Sequence, residues 1–263
     1  MKGEDRQSEP AIAGNHENSK LPVKEEAKKD LPKTHLQVHG QNKDLNADMD
    51  DFDPEECNQN WNEYRITGKA PTRRGYQASF IDGNYLYVHG GHDIREGTIE
   101  SMYKINLEPN SNDIEWEQVV QKGIQKPGKI AYHTLTKHGS KAYLFGGSNL
   151  GKDNNKMFQF DIETSEWKAI GDLNNERIVQ PVTRDEHSAN LWNDTIVIFG
   201  GNVKGFKSND LWLYHINENK WEEIKIDSSP CERSNQAAAL INDKLYIFGG
   251  KDIENNKLSD LWV

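Results

Sequence analysis

Residues 230–250 read PCERSNQAAALINDKLYIFGG, and this stretch decides the fold. Its parts recur three more times. Gly-Gly doublets stand at Gly90-Gly91, Gly146-Gly147, Gly200-Gly201 and Gly249-Gly250, at intervals of 56, 54 and 49 residues. Counted back from the first glycine of each doublet, position minus 19 is always proline: Pro71, Pro127, Pro181 and Pro230. Minus 16 holds Arg74, Ile130, Arg184 and Arg233, and minus 13 holds Gln77, His133, His187 and Gln236. No gap is needed in any of these columns, so the period belongs to a repeated structural unit.

Each unit predicts a β-hairpin running into the doublet. At minus 7 and minus 6 lie Gly83-Asn84, Gly139-Ser140, Asn193-Asp194 and Asn242-Asp243, residues that accept the positive φ of a two-residue turn. The run after the turn is apolar without alternation, as in Ile196-Val197-Ile198-Phe199, which predicts a strand covered on both faces. A third strand follows a variable loop (Met102–Ile105, Met157–Phe160, Leu211–Tyr214, Leu261–Val263), and a fourth opens at Trp116, Trp167 and Trp221 with one wet face. Four antiparallel strands per unit describe a propeller blade. These columns resemble the kelch repeat family from about residue 61 onward, with Ile130 in place of the usual Arg and Ile105 in place of the usual aromatic.

The expected architecture is therefore an all-β kelch-type propeller with about four blades, at roughly 71–122, 127–173, 181–227 and 230–263, the last incomplete. Trp61 occupies the fourth-strand column ahead of the first unit, so 61–66 reads as a closing or residual outer strand. The resemblance implies about five to seven blades, so the sequence reads as a fragment lacking two or more. The alternative is a ring of four in which the Trp61 strand joins the sheet of residues 233–263. Of the 24 Phe, Trp and Tyr residues only Phe52 precedes residue 61, and the first 60 residues carry 8 basic and 14 acidic side chains. Residues 1–60 read as a disordered acidic tail, with the run Asp48–Glu56 as a linker or docking peptide.

A net charge of −10 argues against a nucleic-acid partner, two cysteines exclude a disulfide scaffold, and the sequence carries neither a membrane span nor a secretory signal. The expected compartment is the cytoplasm, with the nucleus as a second possibility. No catalytic group, metal or cofactor is expected. Gly146–Lys152 mimics a phosphate loop, but Asp153 stands where Ser or Thr is needed. His89, His92 and Asp93 read as packing or rim residues, His35 and His39 sit beside helix-breaking Gly40, and neither Cys57 nor Cys231 is tied to a His or Asp by spacing.

Strand direction places the loops after each doublet and the Pro/Arg segments on one face, and the two-residue turns on the other. The expected partner-binding residues are Arg74, Arg184 and Arg233, with His92, Asn149, Asn202 and Lys251 just after the doublets. In the kelch resemblance that rim holds acidic or peptide ligands, and an arginine fork suits a carboxylate. The same arginines would equally serve to brace the blades. The expected function is a non-catalytic scaffold that binds another protein or peptide. The alternative is the recognition part of a larger protein, such as a kelch-fused phosphatase or a ubiquitin-ligase adaptor. Intrinsic copper-radical chemistry lacks the Tyr-Cys pair it needs.

Overall fold

The computed structural model describes residues 65–108, 113–175 and 177–263. The acidic tail, Cys57 and Trp61 lie outside the described residues. Among the described residues there is no helix, and the strands form four blades of a β-propeller.

Blade 1 orders its strands from the axis outward as Ala78–Asp82, Tyr85–His89, Met102–Asn106 and Asp113–Val119. Blade 2 uses Thr134–His138, Lys141–Phe145, Lys156–Asp161 and Glu166–Asp172, and blade 3 uses Ser188–Trp192, Thr195–Val203, Phe206–His215 and Lys220–Ile224. Blade 4 holds three: Ala237–Ile241, Lys244–Lys251 and Lys257–Trp262. The inner strands of successive blades stand side by side around the axis. Every expected two-residue turn forms, with φ of 53° at Gly83, 56° at Gly139, 51° at Asn193 and 47° at Asn242.

Both glycines of every doublet have positive φ, for example 64° and 86° at Gly146 and Gly147. A Cβ on Gly146 would lie 2.2 Å from the Arg184 carbonyl oxygen of the next blade. The second glycine donates its N–H across the same seam: Gly91 to Ile130 O at 2.8 Å, Gly147 to Arg184 O at 2.8 Å and Gly201 to Arg233 O at 2.9 Å. The doublet is thus the point where one blade's backbone bonds to the next, and a side chain there would hold them apart.

Packing repeats with the same register. Trp167 of blade 2 lies 5.3 Å from the His89 ring of blade 1, and Trp221 of blade 3 lies 5.1 Å from the Phe145 ring of blade 2. Both indoles are almost fully buried. His89 therefore fills the packing position that Phe145 holds in the next unit, and its Nδ1 meets Nε2 of His133 at 3.0 Å.

Two features depart from the expectations. The loops after the doublets are structured. In blades 1 and 2 they form small ribbons, His92–Asp93 with Gly97–Thr98 and Ser148–Asn149 with Lys152–Asp153, and in blades 3 and 4 the second and third strands extend through a bulge at the doublet. Gly146–Lys152 runs into such a ribbon and no helix follows, so the phosphate-loop mimicry is confined to the letters. The segment after Trp61 also pairs differently from the ring-of-four alternative. Arg65–Thr67 runs parallel to Asp113–Glu115 on the outer edge of blade 1, not with the sheet of residues 233–263. Lys122 makes the same parallel contact with Glu166 on blade 2. Gly68 and Gly123 follow these two contacts, both at positive φ, and a Cβ on Gly123 would lie 2.3 Å from the Trp167 carbonyl oxygen, so both lead-ins turn at a glycine.

Candidate functional site

The loop-bearing face begins with the minus 16 column. Arg184 and Arg233 are almost completely buried. Arg184 Nη1 donates to Gly200 O at 3.0 Å and to Asp210 Oδ1 at 2.5 Å, while Nη2 donates to Asp210 Oδ2 at 2.8 Å. Arg233 repeats the set with Gly249 O at 2.9 Å and with Asp260 at 2.7 and 2.8 Å. Trp212 and Trp262 complete each cluster by donating their indole N–H to the same carboxylates. Against the cost of burial, the Arg184 fork and the hydrogen bonds from Ser208 and Trp212 hold the Asp210 carboxyl down at about 2.

These contacts correct one expectation. Arg184 and Arg233 do not present a fork to a partner, because both edges of each guanidinium are spent inside its own blade. Arg74 is half-buried and reaches Gly90 O at 3.0 Å, Ser101 O at 3.3 Å and Ser101 Oγ at 3.2 Å. The acid column was legible two residues before the third-strand aromatic: Ser101, Lys156, Asp210 and Asp260. Asp and Trp occur where Arg is paired, and Lys156 stands where Ile130 has removed the arginine. An acidic ligand therefore finds no free guanidinium edge at Arg184 or Arg233.

The residues just after the doublets lie at the mouth. His92, Asn202 and Lys251 bridge in antiparallel fashion to Gly75, Asp185 and Ser234. The equivalent bridge in blade 2 is Ala131 with Ser148, so Asn149 lies one residue beyond the register shared by the others. All four expected side chains are half-buried on this face.

One column escaped the sequence reading altogether. At minus 14 lie Tyr76, Tyr132, Glu186 and Asn235, with φ of 58°, 61°, 56° and 55°. Their backbones form a belt around the axis: Tyr132 N–H donates to Tyr76 O at 3.0 Å, Glu186 N–H to Tyr132 O at 3.3 Å, and Asn235 N–H to Glu186 O at 2.9 Å. The Tyr76 and Tyr132 rings stack at 4.2 Å. The four side chains, with the minus 13 residues beneath them, line a cleft of about 220 Å³. No composition signal marked this column, because the constraint acts on the backbone and leaves the side chain free.

Below the belt the minus 13 residues seal the seams. His187 Nε2 meets Thr134 Oγ1 at 2.9 Å, and Gln236 Nε2 donates to Phe199 O at 2.9 Å. Burial pushes His187 down to about 3, with Arg184 adding to the fall, and pushes His89 down to about 3, with Arg74 adding. His133 is lowered in the same way by burial and by its two histidine neighbours. These imidazoles are neutral seam residues. Among the described residues no three His, Cys, Asp or Glu side chains converge as a metal site.

Four radial blades joined at glycine doublets define a β-propeller of the repeat type, with its irregular loops on one face. The family model for the KLHDC2/KLHL20/DRC7 Kelch-repeats domain matches residues 37–177 and 171–263, and the chain belongs to the kelch-repeat family. Similar proteins include the leucine-zipper-like transcriptional regulator 1 homolog of Drosophila melanogaster, 26% identical over 72% of this chain and 20% of that protein. Tip elongation aberrant protein 1 of Schizosaccharomyces pombe is 31% identical over 57% of this chain and 13% of its own length. Kelch domain-containing protein 3 of Rattus norvegicus is 26% identical over 72% of this chain and 51% of its own length. The chain thus spans from about an eighth to half the length of these relatives.

Proposed function

We propose that this chain is a non-catalytic interaction module that binds another protein through its loop-bearing face, in the cytoplasm or nucleus. The observation that carries this reading is the asymmetry of the two faces. One carries the two-residue turns and the connections from third to fourth strand, while the other holds ribbons of differing form, an axial cleft and the half-buried His92, Asn149, Asn202 and Lys251. His89, His133 and His187 are pushed down by burial in the blade seams and stay neutral. Kelch propellers generally bind other proteins, and membership of the family supports this reading.

A second reading follows from the lengths of the relatives: this propeller serves as the recognition part of a longer protein whose further modules supply an activity. Binding through the loop-bearing face, which both readings require, is tested by capture on immobilised protein. The variant His92→Ala/Asn149→Ala/Asn202→Ala/Lys251→Ala is expected to lose the bound polypeptides. Ser140→Lys/Lys244→Glu, on the turn-bearing face, is expected to keep them. Equal retention by both folded variants overturns the assignment of the face.

A further inference from the structure

We propose that the axial cleft receives a basic side chain, an arginine guanidinium of a bound polypeptide, laid against the Tyr76–Tyr132 stack and hydrogen-bonded to Glu186. The proposal rests on the protein-binding reading above and names the chemistry its partner presents.

The cleft sets two tyrosine rings and one carboxylate among polar side chains. Glu186 is the one formally charged residue in its lining, since His133 and His187 are neutral. Burial works against ionisation of Glu186, but hydrogen bonds from Ser234 and Asn235 and the nearby Lys207 more than offset it and keep the carboxyl below its usual range. Ser234 Oγ donates to Oε2 at 2.7 Å, and Lys207 reaches the same oxygen at 3.5 Å, the outer limit of a hydrogen bond. Next to it, burial raises the Asp185 carboxyl against hydrogen bonds from Asn202 and Ser148, and the charges of Glu186 and Asp153 raise it further. Adjacent Asp185 and Glu186 thus add acidic groups on this side of the belt.

A second observation points the same way. Gln236 lines the cleft, is 8% exposed, and has its Nε2 fixed by Phe199 O and Ser188 Oγ, so its Oε1 is an oriented acceptor. That oxygen is buried and has no hydrogen-bond partner. An unpaired buried acceptor calls for a donor. Tyr76 is 57% exposed although it stacks on Tyr132, which leaves its outer ring face open to a cation. A guanidinium is planar, carries only donors and stacks on aromatic faces, and so matches carboxylate, amide oxygen and tyrosine together. An acidic side chain would face Glu186 with like charge.

The probe is N-acetyl-arginine N-methylamide, titrated into the whole chain carrying ¹³C-labelled tyrosine, with the citrulline analogue as its neutral isostere. The expected result is a saturating shift of the Tyr76 and Tyr132 ring signals that weakens as salt is raised and is absent with citrulline. Glu186→Gln, which keeps an acceptor for Ser234, and Tyr76→Leu, at an exposed position, are each expected to weaken binding at least fivefold. An equal response to citrulline, or undiminished binding by both folded variants, overturns the proposal. If arginine fails while polypeptide capture still depends on the loop-bearing face, the cationic reading falls and protein binding stands. If capture loses that dependence, the binding reading falls whatever the titration shows.

Discussion

Replacing Arg184 with alanine strips Asp210 of its bidentate partner and leaves Gly200 O without its guanidinium donor in a buried seam. Breaking a buried pair from one side costs about 3 kcal/mol or more, which for a domain of this size lowers Tm by roughly 6–12 °C. Arg184→Ala with Asp210→Ala should cost less than the sum of the single changes, with a coupling of about 1–3 kcal/mol from a denaturant double-mutant cycle; additive losses would show that the pair does not act as a unit. Glycine gives a sharper contrast. Gly146→Ala forces a Cβ to within 2.2 Å of Arg184 O at positive φ, whereas Gly151→Ala meets nothing within 4 Å. The first should cost about 3 kcal/mol or more and the second about 1 kcal/mol, the residual strain of a positive φ. At this scale the sequence announced the arginine column but left its purpose open between ligand and brace. The answer lay in the partner column, Ser101, Asp210 and Asp260, which the folded sheet brings opposite each guanidinium.

The first two blade seams carry buried imidazoles. His89 and His187 sit at about 3 in the fold, against an ordinary value of 6.5, because burial penalises the charged ring. The unfolded chain therefore binds more protons below pH 6.5, and stability is full above that pH and falls as pH drops from 6.5 toward 3. Each histidine contributes a slope of about 1.4 kcal/mol per pH unit in that window. His187→Gln installs the residue found in this column in blades 1 and 4, and urea midpoints between pH 7 and pH 5 should then decline less steeply than in the parent. An unchanged slope would place the proton uptake elsewhere. The strands themselves were legible: turn pairs, doubly apolar runs and tryptophan columns gave hairpins and blades in their observed register. What escaped was the ordering of the loops after the doublets and the parallel attachment of Arg65–Thr67, because short ribbons and single edge contacts leave no hydrophobic period to read.

Across the molecule, buried packing at the seams is joined by direct backbone bonds between blades, through the doublets and the belt at Tyr76, Tyr132, Glu186 and Asn235. Amide exchange should report this as a gradient. The N–H groups of Tyr132, Glu186 and Asn235 should be protected to the level of the blade strands, while that of Tyr76, which no carbonyl receives among the described residues, should exchange rapidly. Fast exchange at all four would remove the belt from the account of how the blades cohere. The radial plan was readable from the repeat, whereas the belt was not, since Tyr, Tyr, Glu and Asn share nothing except the backbone angle they adopt. The same plan separates fastening from display. Backbone bonds between blades run through the second glycine of the first three doublets and from Ile130 N–H to Ile99 O and Arg233 N–H to Ser208 O, and the ribbon tips lie outside them. Lengthening or rewriting a ribbon tip, at Ile94–Glu96 or Leu150–Gly151, should leave the wheel intact, so new specificities can be installed there like interchangeable bits in a common chuck.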